Sequence, residues 1–436
     1  MSDDGGLAAR RFAAAALIRI LDDGATLNEA LAGLQRRHDL APHDKRLAER
    51  MARTALRRLG QIDAAIARFL SRDLPAKAKL ARAALRVGAV QLMFLRVPDH
   101  AAISTAVEIV KRDRRARALA GLVNAVLRRI ASQRDAILDD QDAYRLNVPA
   151  WIRGRWEAAW GEETARAMAA ALLAEPPLDV ALRDPASAAH WAARLNATLL
   201  PTGALRLPGD AGAPDALPGF AKGAWWVQDA AAQLPVKLLG DVAGRRVLDL
   251  CAAPGGKTAQ LAAAGARVTA LDISARRLTR LRENLARLRL DAEIVQADAL
   301  GWKPDAPFDA VLLDAPCTAT GTARRHPDVL HRKSERQLRE LTRLQAAMLD
   351  HAIGLVKPGG ALVYAVCSVL PDEGEVQIAA LLERRDDVML SPISSEEVGG
   401  QHWFITQRGA LRTLPHMAIG AARGLDGFFA ARLVRK

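Results

Sequence analysis

Two of the three cysteines in this 436-residue chain stand where a nucleophile could work. Cys317 closes the phrase Asp314-Ala-Pro-Cys317, and Cys367 lies in Tyr364-Ala-Val-Cys-Ser-Val; each follows a short apolar run that reads as a buried strand. A lone buried cysteine is ordinarily a small core residue. Two at the C-terminal ends of strands in one sheet differ, because an open α/β sheet binds its ligands there. A thiol is the right nucleophile for methylation at carbon 5 of a pyrimidine. That carbon is unactivated until a thiolate adds to carbon 6 and pushes electron density onto it. Loss of the carbon-5 proton after methylation then expels the thiolate. Residue chemistry by itself leaves open which of the two thiols attacks.

A methyl donor must bind beside such a thiol, and the chain offers a loop for one. The run Arg246–Leu250 leads into Cys251-Ala-Ala-Pro-Gly-Gly-Lys257-Thr. Glycines at a strand-to-helix turn let backbone amides approach a ligand, and the helix N-terminus favours negative charge. A nucleotide P-loop needs glycine where Cys251 stands, and the dinucleotide spacing G-x-G-x-x-G is absent, so both of those readings fail. Asp272 ends the next strand, where its carboxylate can accept both hydroxyls of a ribose. Asp298 follows the third strand, placed to meet an adenine edge. Each acid alone is more often a helix cap. In this order, loop and acids form the layout that holds S-adenosylmethionine.

The elements that must position these residues alternate strand and helix from about residue 240. Strands are expected at Arg246–Leu250, Arg267–Leu271, Ala292–Gln296, Asp309–Leu313 and Ala361–Cys367. Helices are expected at Thr258–Ala264, Ala275–Leu288 and Arg336–Leu355. This pattern predicts a parallel, doubly wound Rossmann-like sheet. From Arg11 to Arg129 the spacing is helical: Ala13–Leu21, Leu47–Leu59, Ile62–Leu70, Ala81–Leu92 and Leu119–Ile130 form an all-α bundle. Between them, 145–225 is rich in Pro and Gly and reads as a small α+β connector. The expected fold is therefore multi-domain: all-α over 1–140, α+β connector over 141–225, α/β catalytic domain over 226–436.

Composition narrows the class. Half the residues are hydrophobic and a quarter charged, which fits a globular protein and argues against disorder. No apolar run reaches the ~18 residues of a membrane span. The acidic start, Met1 to Gly6, is not a signal peptide. So few cysteines cannot form a disulfide framework, and the thiols are expected to be reduced, in the cytoplasm. Net charge is +13, of which residues 1–150 carry +10, from 27 basic and 17 acidic residues. A polyanion such as nucleic acid is the natural partner of that half. A GC-rich genome that writes Arg for Lys is the plainer explanation, and only eleven of the 62 basic residues are Lys. The run Lys111–Arg117, with Lys111, Arg112, Arg114 and Arg115, is the basic cluster proposed to touch RNA; its alternative is a solvated helix end.

These motifs carry a resemblance. Asp249-Leu-Cys-Ala-Ala-Pro-Gly-Gly-Lys257-Thr, Asp314-Ala-Pro-Cys317 with the sequel to Asp328, and Tyr364-Ala-Val-Cys367-Ser-Val-Leu-Pro resemble the motifs of the RNA cytosine-C5 methyltransferases. Val227-Gln-Asp-Ala-Ala-Ala-Gln233 is similar to the segment preceding that fold, and Asp426-Gly-Phe-Phe-Ala-Ala-Arg432 to its terminal strand. The phrases Ala84-Leu-Arg-Val-Gly, Gln91-Leu, Val97-Pro and Val123-Asn-Ala-Val-Leu-Arg128 resemble the helical domain of transcription antitermination factor B.

The resemblance implies an S-adenosylmethionine-dependent enzyme that methylates carbon 5 of one cytosine in 16S ribosomal RNA, cytosine 967 in conventional numbering. It makes Cys367 the nucleophile and Cys317 the residue that helps release product. Asp314 would bond the protonated cytosine edge, with Lys257 beside it. Cys251, Ala252, Ala253, Pro254, Gly255, Gly256, Lys257, Asp272, Asp298 and Asp314 fall on cofactor-binding positions. Cys251 has no catalytic counterpart. Arg324, Arg325 and His326 would contact phosphates near the target; the plainer reading pairs these arginines with Asp328 to hold the loop. No metal is implied, and the chain is expected to act as a monomer on free or partly assembled RNA. The same chemistry on tRNA or 23S RNA, and a non-catalytic antitermination-type RNA-binding protein, are the alternatives. Intact Lys257, Asp314, Cys317 and Cys367 argue against the last.

Three departures from the family pattern stand out. Thr318 and Ala319 occupy positions usually Ser and Gly, and Ala319 lacks glycine's easy access to positive φ. Gly374 replaces an Asn, and Arg183-Asp184 stands where an Asn is typical.

Overall fold

In a computed structural model, residues 4–37 and 40–436 are described, so Met1, Ser2 and Asp3 of the opening segment lie outside the described residues. The chain divides into two units: residues 1–173 with 325–333, and residues 174–324 with 334–436.

The first unit is helical. Its elements are α1 (Asp4–Leu21), α2 (Leu27–Gln35), α3 (Pro42–Arg57), α4 (Leu59–Ala67), α5 (Lys79–Met93), α6 (Asp99–Lys111), α7 (Ala120–Ser132), α8 (Arg134–Asp139), α9 (Ala143–Asn147) and α10 (Ala150–Leu173). Small side chains let the helices approach closely, with Ala13, Ala52, Ala84 and Ala106 all fully buried. The run expected as one helix over Leu47–Leu59 is broken at Arg58, which leaves helical geometry at φ −111°. Helix α2 begins on a capping box in which Thr26 and Glu29 exchange hydrogen bonds. Helix α10 bends at Gly161, whose φ of 79° is non-helical. This unit therefore runs past residue 140, where the sequence pattern ends it.

The second unit carries two sheets. The smaller joins β1 (Asp179–Leu182), β2 (Thr198–Leu199), β3 (Leu205–Arg206) and β4 (Trp225–Val227) in the order β2-β3-β1-β4, all antiparallel, and α11 (Ala188–Leu195) covers it. The larger contains β5 (Arg246–Leu250), β6 (Arg267–Asp272), β7 (Glu293–Gln296), β8 (Phe308–Asp314), β9 (Val356–Val366), β10 (Val388–Leu390), β11 (Leu411–Thr413) and β14 (Phe428–Arg435). A two-stranded hairpin, β12 (Ala418–Ile419) and β13 (Ala422–Arg423), stands apart.

The large sheet runs β10-β14-β9-β8-β5-β6-β7, with β11 beside β14. Strands β5 to β9 are parallel, as expected. The sheet is nevertheless mixed and not purely parallel, because β14 is antiparallel to β9, β10 and β11. Period-2 alternation buries both faces. Val247, Leu312 and Val363 pack on one face with Leu261 of α13 (Gly256–Ala263) and Leu234 of α12 (Leu234–Lys237). Leu248, Leu313 and Leu362 pack on the other with Leu349 and Ile353 of a long helix, Glu335–Gly354. Helix α14 (Ala275–Leu288) starts on a Ser274 cap and buries Leu278, Leu281, Leu285 and Leu288 at three- and four-residue spacing. Helix α15 (Asp328–Arg332) belongs to the helical unit; the helix Glu335–Gly354 is α16, and α17 (Glu375–Arg384) follows β9.

Candidate active site

Chain order reverses at β5, which lies between β6 and β8. Ligands bind at such a switch point, outside the carboxyl ends of the strands. Asp249, Asp272 and Asp314 stand at the ends of β5, β6 and β8, and Cys367 directly follows β9. The ends at Asp272, Asp314 and Cys367 are legible in the sequence because each follows an apolar run.

The loop after β5 turns at Cys251, φ 63°, and at Gly255, φ 100°, before α13 begins. A Cβ at Gly255 would stand 2.9 Å from Leu281 Cγ, so backbone conformation and packing both demand glycine there. Burial pushes the Cys251 thiol up to about 12, with the carboxylates of Asp314 and Asp272 adding to it, which makes it inert at neutral pH. Asp272 is almost fully buried; its oxygens accept from the backbone N–H of Ala253 (3.2 Å) and Ser274 (2.9 Å). Arg277 lies 3.3 Å from Asp272 and also donates to the Ala253 carbonyl. Asp298 is exposed and accepts from Leu300 N–H at 3.1 Å.

One buried acid that sequence reasoning did not single out stands beneath the loop. Asp249 accepts from Thr258 Oγ1 at 2.6 Å through one oxygen, and its other oxygen is buried with no hydrogen-bond partner. Burial, with Asp314 and Asp272 nearby, pushes its pKa up to about 7. A buried acceptor left open, an amide-lined turn and a carboxylate at the next strand end fit a ligand carrying hydroxyl and amino donors.

Lys257 Nζ donates to Asp314 Oδ2 at 2.7 Å and lies 5.3 Å from the ring centroid of Phe428. Burial alone would lower the lysine's pKa. The Asp314 carboxylate, with Cys367 and Asp249 adding to it, outweighs burial and raises it, so the side chain is an ammonium at neutral pH. The two thiols face each other, Sγ to Sγ, at 3.5 Å. The contact with Cys367, then burial, hold Cys317 well above an ordinary thiol pKa, so Cys317 stays protonated.

A cluster that no motif revealed encloses both thiol loops. Glu373, fully buried, accepts from Thr318 N–H (2.8 Å), Thr318 Oγ1 (2.5 Å) and Gln345 Nε2 (3.0 Å). Thr320 and Ser368 complete it. The signal available in sequence was a pair of acids after Pro371, indistinguishable from a helix start. Ala319 does adopt positive φ, at 59°, although its Cβ disfavours that region.

The three basic residues beyond Cys317 do not act together. Arg324 is 2% exposed and bonds Asp229 at 2.9 Å, with Asp426 at 3.7 Å. That corrects its assignment to RNA phosphates: a guanidinium paired with buried carboxylates has no access to a polyanion. Arg325 and His326 belong to the helical unit, where Arg53 donates to the Arg325 carbonyl. Burial, then Arg325 and Arg53, push His326 down to about 4, so it carries no charge for a phosphate at pH 7. Asp328 bonds Leu27 N–H and Arg332, and its partner in holding this segment is Arg332. Lys111, Arg112, Arg114 and Arg115 are exposed at the end of α6, with Arg112 paired to Glu108. Among the described residues no His, Cys, Asp or Glu group could hold a metal ion, and no helix is long and apolar enough to cross a membrane.

A Rossmann-like sheet with β14 inserted antiparallel, and its carboxylates at the switch point, defines the methyltransferase class. The crystal structure of a methyltransferase homolog protein from Pyrococcus horikoshii matches 67% of this chain and 97% of its own, with a TM-score of 0.56 and 27% identity. PH0851 shares the fold over 98% of this chain and 99% of its own, with a TM-score of 0.78 at 23% identity. Residues 236–434 match the family described as 16S rRNA methyltransferase RsmB/F, and residues 7–132 match the NusB family. Ribosomal RNA small subunit methyltransferase B of Cronobacter sakazakii is 38% identical, and that of Klebsiella pneumoniae subsp. pneumoniae 37%, each over 98% of both chains. The chain belongs to the 16S ribosomal RNA methyltransferase family that these small-subunit methyltransferases B represent.

Proposed function

We propose that this protein transfers a methyl group from S-adenosylmethionine to carbon 5 of one cytosine in 16S ribosomal RNA. The observation that carries the reading is the pair of thiols 3.5 Å apart at the strand ends that also hold the Lys257–Asp314 ion pair. Amides of the 252–257 loop with Asp249 and Asp272 would hold the cofactor, which supplies the electrophilic methyl group when bound. Asp298 would meet its adenine.

Cys367 attacks carbon 6. The Lys257 ammonium is placed to interact favourably with a thiolate at Cys367, which supports the order that the family resemblance implies. Asp314 accepts from the protonated edge of the cytosine, which draws electrons from the ring as the C6–S bond forms. Electron density at carbon 5 then takes the methyl group. Loss of the carbon-5 proton to solvent re-forms the C5–C6 double bond, the C6–S electron pair leaves with Cys367, and the S–H of Cys317 beside it can bond the departing thiolate. A base stacked in a helix cannot reach these groups, so the target lies in a loop or is flipped out. The exposed Lys111–Arg115 run supports the helical unit as a contact for RNA phosphates.

The test is tritiated methyl transfer to deproteinised 16S RNA, tRNA, 23S RNA and assembled 30S subunits, with nuclease mapping. 5-Methylcytidine at one site in free 16S RNA, cytosine 967 by the family resemblance, is the expected result. Label confined to tRNA or 23S RNA overturns the substrate and keeps the chemistry. In parallel, Cys317→Ala should accumulate a covalent protein–RNA adduct and Cys367→Ala should not; the reverse pattern overturns the order of the thiols.

A further inference from the structure

We infer that Glu373 is a positioning residue for product release: its buried carboxylate holds the Cys317 loop in register with the Cys367 strand end. The inference rests on the roles proposed above for the two thiols.

Each sulfur is followed by a hydroxyl residue, Thr318 after Cys317 and Ser368 after Cys367. Those hydroxyls stand 3.3 Å apart, with Thr320 Oγ1 a further 3.1 Å from Ser368 Oγ. Thr318, Thr320, Ser368 and Glu373 are all fully buried. Glu373 is tied to the Cys367 side, since its carbonyl accepts from Tyr364 OH on β9 at 2.6 Å. Its carboxylate grips the Cys317 side through both the N–H and the hydroxyl of Thr318. Gln345 of α16 reinforces the grip, donating to Glu373 and to the Pro316 carbonyl at 2.9 Å.

Local preference does not hold this loop, because Ala319 sits in the left-handed region that its Cβ disfavours. Without Glu373, the Thr318 N–H and one N–H of Gln345 lose their acceptor inside a fully buried cluster, and the loop must move to find others. A shift of about 1 Å at a reacting group costs about 100-fold in rate.

Glu373→Ala should therefore lower kcat about 100-fold, with KM for 16S RNA and cofactor affinity within about twofold of the parent protein. It should accumulate the covalent RNA adduct on a denaturing gel. Glu373→Gln should restore turnover. Its amide oxygen keeps the bonds from Thr318 N–H and Gln345, and its amide nitrogen donates to Thr318 Oγ1, whose own hydrogen turns to Thr320 or Ser368. A glutamine variant as slow as alanine overturns geometry as the cause, and so does an alanine variant that slows without trapping RNA. If the alanine variant does not fold, Thr318→Val decides, since it keeps the backbone bond and loses the hydroxyl. Partial adduct is expected from it, and release at the parent rate overturns the inference. Cys317→Ala is run beside them: if it traps no adduct, the proposed roles of the thiols fail; if it does and the Glu373 and Thr318 variants do not, only the role of Glu373 fails.

Discussion

Replacing Arg324 by methionine separates a structural from an RNA-binding arginine. Its guanidinium is 2.9 Å from Asp229 and 3.7 Å from Asp426, with each of the three side chains at most 3% exposed. Removing the cation leaves two carboxylates buried together without their counter-charge. Breaking a buried pair in this way costs about 3–5 kcal/mol. The sheet-bearing unit has about 250 residues, for which 1 kcal/mol moves Tm by roughly 2 °C. Arg324→Met should therefore lower its Tm by about 6–10 °C in calorimetry. Adding Asp229→Asn should recover part of the loss, because it removes one stranded charge and couples to the first change. An arginine that neutralises one RNA phosphate predicts the opposite signature. Its replacement would leave Tm unchanged and flatten the slope of log affinity against log salt by about 0.7–0.9. That result would refute the burial argument.

Ala319→Gly should stabilise the protein by about 1 kcal/mol in denaturant titration, because φ 59° costs alanine about 1–2 kcal/mol that glycine does not incur. Gly374→Asn, the commoner family residue, should destabilise by about 1–3 kcal/mol, since a Cβ there meets Arg412 Nη2 and Phe429 Cγ, each at 2.7 Å. Asp249, with a folded pKa of about 7, binds its proton more tightly folded than unfolded. Stability should fall as pH rises from about 4 to 7, and thermal melts of Asp249→Asn should lack that part of the slope. His326, with a folded pKa of about 4, has the opposite linkage. Stability is lost as pH falls from about 6.5 towards 4, and His326→Gln should flatten that limb.

The parallel strands, the Gly-rich turn and the acids at strand ends are all local features. A buried parallel strand must be an apolar run, and the polar residue that ends it marks where the ligand edge lies. For that reason Asp272, Asp314 and Cys367 could be placed at strand ends from the sequence. The antiparallel course of β14 could not, because an apolar run such as Phe428–Arg435 carries no direction.

Pairings across long stretches of chain belong to the tertiary structure alone. Arg324 reads as a cation for phosphate until Asp229, 95 residues earlier, closes on it. Glu373 reads as a helix-start acid until Thr318, 55 residues before it, donates to both its oxygens. Residue type and spacing determined which chemistry this chain can carry. Only burial decided which charges are spent on holding the fold and which remain for the site, because a charge removed from water must find its partner wherever the chain brings one.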